Sequence, residues 1–314
     1  MREEDSMLKK LQLETTAPFQ GLPELVAFDE GLFEAEGLEI VWMPRGQSAP
    51  VKADRNITDW NQVSAFGSHG SSAEQGEACM YNACEWGNYR RVDDTKTASR
   101  QIGRRAIMVY GAIVVPPHSE AYTLQQLANV PVGVPYHAGT HYLAILLLEG
   151  FLPRDAIKTC LAPNGGRKRF EAIMSGDLDA TTLTEPYITV AERAGCRILG
   201  AGFYHGTEVA TPEVDGLTYL AFNRAVREAV ARINADKPKY LQYFIDRHKD
   251  DPRVAELTVN DLRPGRLQVA NPSPIPEDEL RRTYEWMKSW NMLQDVSLEE
   301  LVDVEAQQLA HATS

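Results

Sequence analysis

Apolar and polar positions alternate from Leu8 to Thr15 (Leu-Lys-Lys-Leu-Gln-Leu-Glu-Thr), the two-residue period of a half-buried strand. A loop, Thr15-Thr-Ala-Pro-Phe-Gln-Gly-Leu-Pro, follows it. The pattern then predicts a helix from about Pro23 to Glu36, stopped by Gly37, and a second strand over Leu38 to Met43. This strand–helix–strand opening points to a parallel sheet with helices on its faces. Between Pro44 and Ser72 the periodicity fades; a short strand is expected at Val63 to Phe66 and a helix over Ala73 to Gly76. Ala78 to Trp86 reads as a strand, which would set Asn82, Cys84 and Trp86 on one face. Arg104 to Val115 is rich in strand formers, and Thr123 to Asn129 reads as a short connector helix. Later come a helix over Phe170 to Ser175 and a strand over Arg193 to Gly200. Ala221 to His248 is helical with a break at Lys237-Pro238, and Glu277 to Trp290 is helical with Leu280, Tyr284 and Met287 at helical spacing. Trp286 and Trp290, four apart, read as packing residues. A short helix at Val296 to Asp303 closes the chain.

The stretch from Val132 to Pro186 organises the rest. A short apolar strand, Val-Gly-Val-Pro, runs into Tyr136-His-Ala-Gly-Thr-His-Tyr and then the apolar run Leu143 to Leu148. Such a strand–loop–helix unit aims unpaired helix N–H groups at whatever fills the loop. An anionic or strongly polar ligand fits there, with the Thr140 hydroxyl and the His137 or His141 imidazole as further partners. The simpler alternative makes Thr140 the N-cap and nothing more.

On these residues the chain resembles the substrate-binding proteins of nitrate, sulfonate, taurine and thiamine-pyrimidine ABC importers. In that superfamily a Val-Gly-Val-Pro strand leads into a Gly-Ser/Thr turn, and a Gly-(Glu/Asp)-(Val/Leu)-Asp-Ala stretch precedes a strand ending in Glu-Pro. The counterparts here are Gly176-Asp-Leu-Asp-Ala180 and Glu185-Pro186; Gly21 to Ile40 is similar to the first helix and second strand. Two departures stand out: Ala78 replaces an aspartate usual at the strand entrance, and Cys84-Glu85 stands where small residues are common. The resemblance implies an α/β, two-lobed type II periplasmic-binding-protein fold with a cleft between lobes. It implies a first lobe of residues 1–108 and 206–314 and a second of 109–205, hinged at two crossings.

A chain of 314 residues is long enough for two lobes with their own cores, and 43% hydrophobic with 24% charged residues is the composition of a soluble globular protein. No apolar run reaches about 18 residues, so no membrane span is expected. The net charge of -12 argues against a nucleic-acid partner. Met1 to Leu11 carries acids where a secretory signal has a basic end and an apolar core, so the expected location is cytoplasmic, or periplasmic if a signal peptide was removed. The four cysteines, at 79, 84, 160 and 196, match neither a metal knuckle nor a redox pair, and Cys160 and Cys196 read as buried structural thiols.

Ligands in open α/β folds sit at the carboxyl ends of strands. That rule selects Phe19 and Gln20 after strand one, Trp42 and Arg45 after strand two, Ser68 and His69, then Asn82 and Trp86. From the second lobe it selects His137, Gly139, Thr140, His141, Glu185 and Tyr187, with Tyr204 at the return crossing. His69 reads alternatively as a turn residue and Glu185 as a helix cap. No His, Cys or Glu pair has compact ligand spacing, so neither a metal nor another cofactor is expected. The expected partner is a small anionic or heteroaromatic molecule, with an ABC permease if the chain is exported. Three functions compete: a solute-binding component of an importer, a cytoplasmic enzyme reusing the cleft, or a ligand sensor. The superfamily's enzymes include the yeast-type pyrimidine synthase and hydroxybiphenyl sulfinate desulfinase. This chain lacks the cysteine-rich run of the former and has Ala17-Pro18-Phe19 where the latter places a cysteine. Enzyme status is left open, with Cys84 as candidate nucleophile and His69 and Glu85 beside it.

Overall fold

The computed structural model describes residues 8–46, 51–64 and 70–311. Eleven strands are present among them: β1 (Lys9–Glu14), β2 (Leu38–Met43), β3 (Met80–Cys84), β4 (Arg100–Arg104), β5 (Ile107–Val115), β6 (Val132–Val134), β7 (Thr159–Leu161), β8 (Ala180–Thr184), β9 (Arg197–Tyr204), β10 (Gly206–Ala210) and β11 (Gln268–Val269). They form two sheets. The first has the order β2-β1-β3-β10-β4, with β1 parallel to β2 and β3 and β10 antiparallel to its neighbours. The second has the order β11-β5-β8-β6-β7, with β9 also paired to β5. The chain passes between the sheets at Arg105–Ala106 and at His205, and β11 later returns to pair with β5 of the second sheet. Helices pack on both sheets, giving a two-lobed α/β molecule.

The apolar pattern explains each lobe. In β1, Leu11 and Leu13 are buried on either side of the exposed Gln12, as a period of two requires, while Lys9 at the strand start is exposed and Glu14 at its end is buried. Leu22, Val26 and Phe33 meet Phe222, Val226 and Ala229 from the helix Gly216–Ala235, with the Phe33 and Phe222 rings stacked at 5.3 Å. In the second lobe Ile113, Val132, Val134, Ala144 and Leu148 share one core.

Several predicted boundaries move. The first long helix is Pro18–Asp29, five residues earlier than expected: Pro18 suits a helix start, and the non-helical Gly21 accommodates the missing N–H of Pro23. Leu32–Ala35 is a separate helix. No strand includes Val63 or Ser64; a 3₁₀ turn, Trp60–Gln62, precedes them, and Ala65 and Phe66 lie outside the described residues. The next helix starts at Ser71. The strand expected to reach Trp86 ends at Cys84, because the Cys84 sulfur accepts the Gly87 N–H (3.2 Å) and caps the helix Glu85–Thr95. The connector after Thr123 is a 3₁₀ turn with a Thr123/Gln126 capping box. The Lys237-Pro238 break is present, Asp236 ending one helix and capping the next.

Residues 51–64 join two strands of the first sheet yet lie along the second lobe. Asp54 bridges to Leu161 beside β7, with Asp54 N to Leu161 O and Leu161 N to Ile57 O both at 2.9 Å. Val51, Ile57, Trp60 and Val63 pack on the second lobe's core.

Candidate functional site

The loops at the carboxyl ends of strands in both sheets enclose a cavity of about 480 Å³. From the first lobe come Phe19, Gln20, Arg45, Cys84 and Arg91; from the second come Tyr136 to Thr140, Arg169, Glu185, Tyr187 and, at the crossing, Tyr204. Of the residues selected from sequence, Phe19, Gln20, Arg45, Cys84, His137, Gly139, Thr140, Glu185, Tyr187 and Tyr204 therefore line one space. Ser68 and His69 lie outside the described residues.

The others are placed elsewhere. Trp42 packs edge-on to Phe28 at 5.5 Å. Asn82 is paired to the Thr16 hydroxyl, its Nδ2 donating at 2.9 Å. Glu85 accepts the Tyr89 hydroxyl at 3.0 Å inside the first lobe, and burial pushes its carboxyl up to about 7. Trp86, one residue into its helix, stacks on Tyr142 and contacts Tyr204, each at 5.6 Å, behind the cavity wall. His141 is wholly buried; its Nδ1 accepts the His137 N–H at 3.3 Å, and burial holds its pKa well below the usual imidazole value. Helical geometry accounts for this: two residues past Gly139 the side chain has turned to the opposite face.

The helix Gly139–Glu149 opens on the cavity. Its N-cap is Ala138, which has no side-chain cap, so Thr140 lies inside the helix and is not the capping residue. The Gly139 and Thr140 N–H groups have no partner among the described residues and supply donors at the positive end of the helix dipole. His137, with φ of 64°, turns its ring away from this corner: Nε2 lies 2.9 Å from Trp60 O and 2.8 Å from Val63 O. Burial lowers its pKa, leaving a neutral ring whose Nε2–H donates to those carbonyls.

Three cavity charges are paired. Arg45 donates to Gln20 Oε1 at 3.3 Å and lies 3.4 Å from Glu14, whose oxygens also accept Gly70 N–H (2.8 Å) and Ser72 N–H (3.2 Å). Arg91 pairs with Glu74 at 2.6 Å. Glu185 sits at a cis bond to Pro186, accepts the Thr189 N–H and hydroxyl at 3.1 Å, and pairs with Arg266 at 2.7 Å. Its capping role, raised by the sequence, is therefore present alongside its place in the wall.

Arg169 was not singled out by sequence. It is buried, donating Nε to Thr182 O at 2.7 Å and Nη1 to Pro163 O at 3.0 Å, and it has no carboxylate partner among the described residues. Burial lowers its pKa to about 10, so it stays cationic at neutral pH. In Gly165-Gly-Arg-Lys-Arg-Phe it looks like one of three solvated basic residues; Arg167 and Lys168 are exposed, and only the helical phase of Phe170 and Ile173 turns Arg169 inward. The Cys84 thiol is pushed up to about 11 by burial, so it is protonated at neutral pH. All four cysteines are buried and none is in a disulfide. Among the described residues no group of three or more His, Cys, Asp or Glu could hold a metal, and no helix is long and apolar enough to cross a membrane.

No protein-family model matches the chain, and no curated protein matches it in sequence. Solved structures do. The alkanesulfonate-binding protein SsuA of Xanthomonas axonopodis pv. citri, bound to MOPS, is 13% identical over 96% of this chain and 97% of its own, with a TM-score of 0.65. The ligand-binding component of an ABC-type import system from Staphylococcus aureus, with zinc bound, is 12% identical over 97% and 100%, with a TM-score of 0.68. The desulfurization enzyme DszB, as a variant in complex with biphenyl-2-sulfinic acid, is 13% identical over 98% and 100%, with a TM-score of 0.60. Identities this low speak to architecture alone: the chain has the two-lobed type II periplasmic-binding-protein fold that its resemblance to the nitrate, sulfonate, taurine and thiamine-pyrimidine binding proteins implies.

Proposed function

We propose that the chain binds a small organic anion with a single negative charge, of the sulfonate or carboxylate class, in the cavity between its two sheets. The observation that carries this reading is Arg169, a buried guanidinium at the cavity wall with no carboxylate partner among the described residues. An uncompensated buried charge costs several kcal/mol, and a ligand anion removes that cost. Arg45, Arg91 and Glu185 have partners of their own, so one ligand charge balances the site. Phe19, Tyr136 and Tyr204 supply ring surface for the ligand body, and the volume suits a small organic molecule.

Residues 1–108 and 206–314 make up most of one lobe in this reading and 109–205 most of the other, with the crossings at Arg105–Ala106 and His205 as hinge and β11 reaching over to the second sheet, and delivery to an ABC permease is the role of an exported form. A desulfinase-like activity has less support: the loop after β1 offers no thiol, and the Cys84 thiol is protonated. Calorimetric titration with benzenesulfonate, benzenesulfonamide and phenylphosphonate, above the phosphonate's second ionisation, tests the reading at constant shape and charges of minus one, zero and minus two. The sulfonate is expected to bind about tenfold or more tightly than either, a difference of about 1.4 kcal/mol. Equal binding of the neutral sulfonamide would end the anion assignment.

A further inference from the structure

Residues 51–64 form part of the cavity wall through Val51, Val63 and Ser64, and the second-lobe residues they lie against, Tyr136, His137 and Leu161, line the same cavity. The seam between this segment and the second lobe therefore runs along the binding space. Apolar packing of Val51, Ile57, Trp60 and Val63 on the second lobe's core holds it, together with three kinds of polar contact. The Asp54–Leu161 bridge is backbone to backbone. The Tyr136 hydroxyl donates to Ile57 O at 3.1 Å, and His137 Nε2 is shared by Trp60 O and Val63 O. Arg55 reaches Gly176 O, Asp177 O and Asp179 Oδ2, each at 2.7 Å. Arg55 and Asp179 are half exposed, and such ion pairs contribute little. The His137 ring is buried and its bonds are part-buried, so a partner lost there costs more than one lost at the exposed Arg55.

We propose that residues 51–64 are a strap over the ligand cavity, that ligand exchange requires the strap to part from the second lobe along this seam, and that His137 is the positioning residue that holds it shut. His137 then acts on binding through Trp60 and Val63 rather than by touching ligand. Its left-handed backbone sits at the turn before the Gly139 helix, so the residue that fixes the strap also ends the loop presenting the Gly139 and Thr140 N–H groups. The inference rests on the anion-binding reading for its ligand but not for its seam.

The test uses His137→Gly, because glycine keeps a φ of 64° without strain and only the imidazole is lost. Stopped-flow exchange with benzenesulfonate should show association and dissociation rates both rising about tenfold, with a small change in Kd. Amide hydrogen exchange of residues 51–64, measured without ligand, should accelerate in the same variant, while Arg55→Ala should leave both readouts near wild type. A dissociation rate that rises alone, with unchanged strap exchange, would make His137 an ordinary ligand contact and overturn the proposal. As a second arm, cysteines at the bridged positions 54 and 161 should form a disulfide, since paired antiparallel residues have suitable spacing. Ligand exchange by the oxidised form should be at least tenfold slower than by the same protein reduced; equal rates would overturn the strap. If benzenesulfonate binds neither form, the anion reading fails, and accelerated amide exchange in His137→Gly still decides the seam.

Discussion

The Gly139 backbone and the Tyr204 ring are in such close contact that a Cβ on Gly139 would lie 2.4 Å from the ring. Glycine is required here for the approach of a side chain. This contact ties the loop presenting the helix N-terminus to the crossing strand β9.

Gly139→Ala should therefore displace Tyr204 or the helix start, costing about 1–3 kcal/mol of stability, as overpacking does. Ligand-induced thermal stabilisation should fall with it, since that shift follows occupancy of the native state. Tyr204→Ala alone should be costly, but the double variant should lose less than the sum of the two single changes, because the methyl group then has room. Urea denaturation of the three variants measures this; a double variant no better than the sum of its parts would show that the ring is not the obstacle.

Cys84 is expected to be a slow nucleophile. Burial raises its thiol to about 11, above the ordinary thiol near 8.5, so the thiolate is scarce at neutral pH. Alkylation of native protein by iodoacetamide, followed by mass spectrometry, should speed up with pH to the top of the range in which the fold survives. A plateau near neutrality would mean a stabilised thiolate and would restore Cys84 as a candidate catalytic group.

The helix Glu277–Ser289 is held to the second lobe in part through one acid. Glu149 Oε2 accepts the Trp286 indole N–H at 2.7 Å, and Oε1 accepts that of Trp290 at 3.0 Å and the Arg154 Nε–H at 2.9 Å. Glu149→Ala leaves two part-buried indoles without acceptors and should cost about 2 kcal/mol. Glu149→Gln, which keeps one carbonyl acceptor, should lose less. Chemical denaturation followed by tryptophan fluorescence would show the order of the two variants.

The fold was legible because each lobe buries strongly apolar segments: Leu11 and Leu13 of β1, Leu38 and Ile40 of β2, and the nearly continuous apolar run of the helix Gly139–Glu149. The site was legible where backbone dictates it. Gly139, Thr140 and Glu185 line the cavity as strand ends do in open sheets. Three choices depended on tertiary detail that the local pattern does not hold. Trp86 turns away because the Cys84 thiol starts a helix one residue before it. His141 lies on the buried face of its helix, and His137 spends its imidazole on two carbonyls of the strap. Arg169 was hidden in a basic run whose other members are solvated.

Glu85 gives the clearest pH test. Its side chain is enclosed in the first lobe near Tyr89 and Thr283, and burial raises its carboxyl from 4.5 to about 7. In the unfolded chain the group loses its proton near 4.5, whereas in the folded protein it keeps the proton until about 7. Between those values the folded state binds more protons than the unfolded state, so stability must fall as pH rises through that window. A separation of this size corresponds to on the order of 3 kcal/mol, fully present below the lower value and lost above the upper one. Glu85→Gln keeps an acceptor for the Tyr89 hydroxyl and cannot ionise. Urea denaturation should find the variant close to wild type near pH 4.5 and more stable by up to that amount near pH 8, whatever other groups titrate in both proteins. A difference that does not change with pH would mean that Glu85 is ionised in the folded protein throughout, with a cation or water reaching it that burial should exclude.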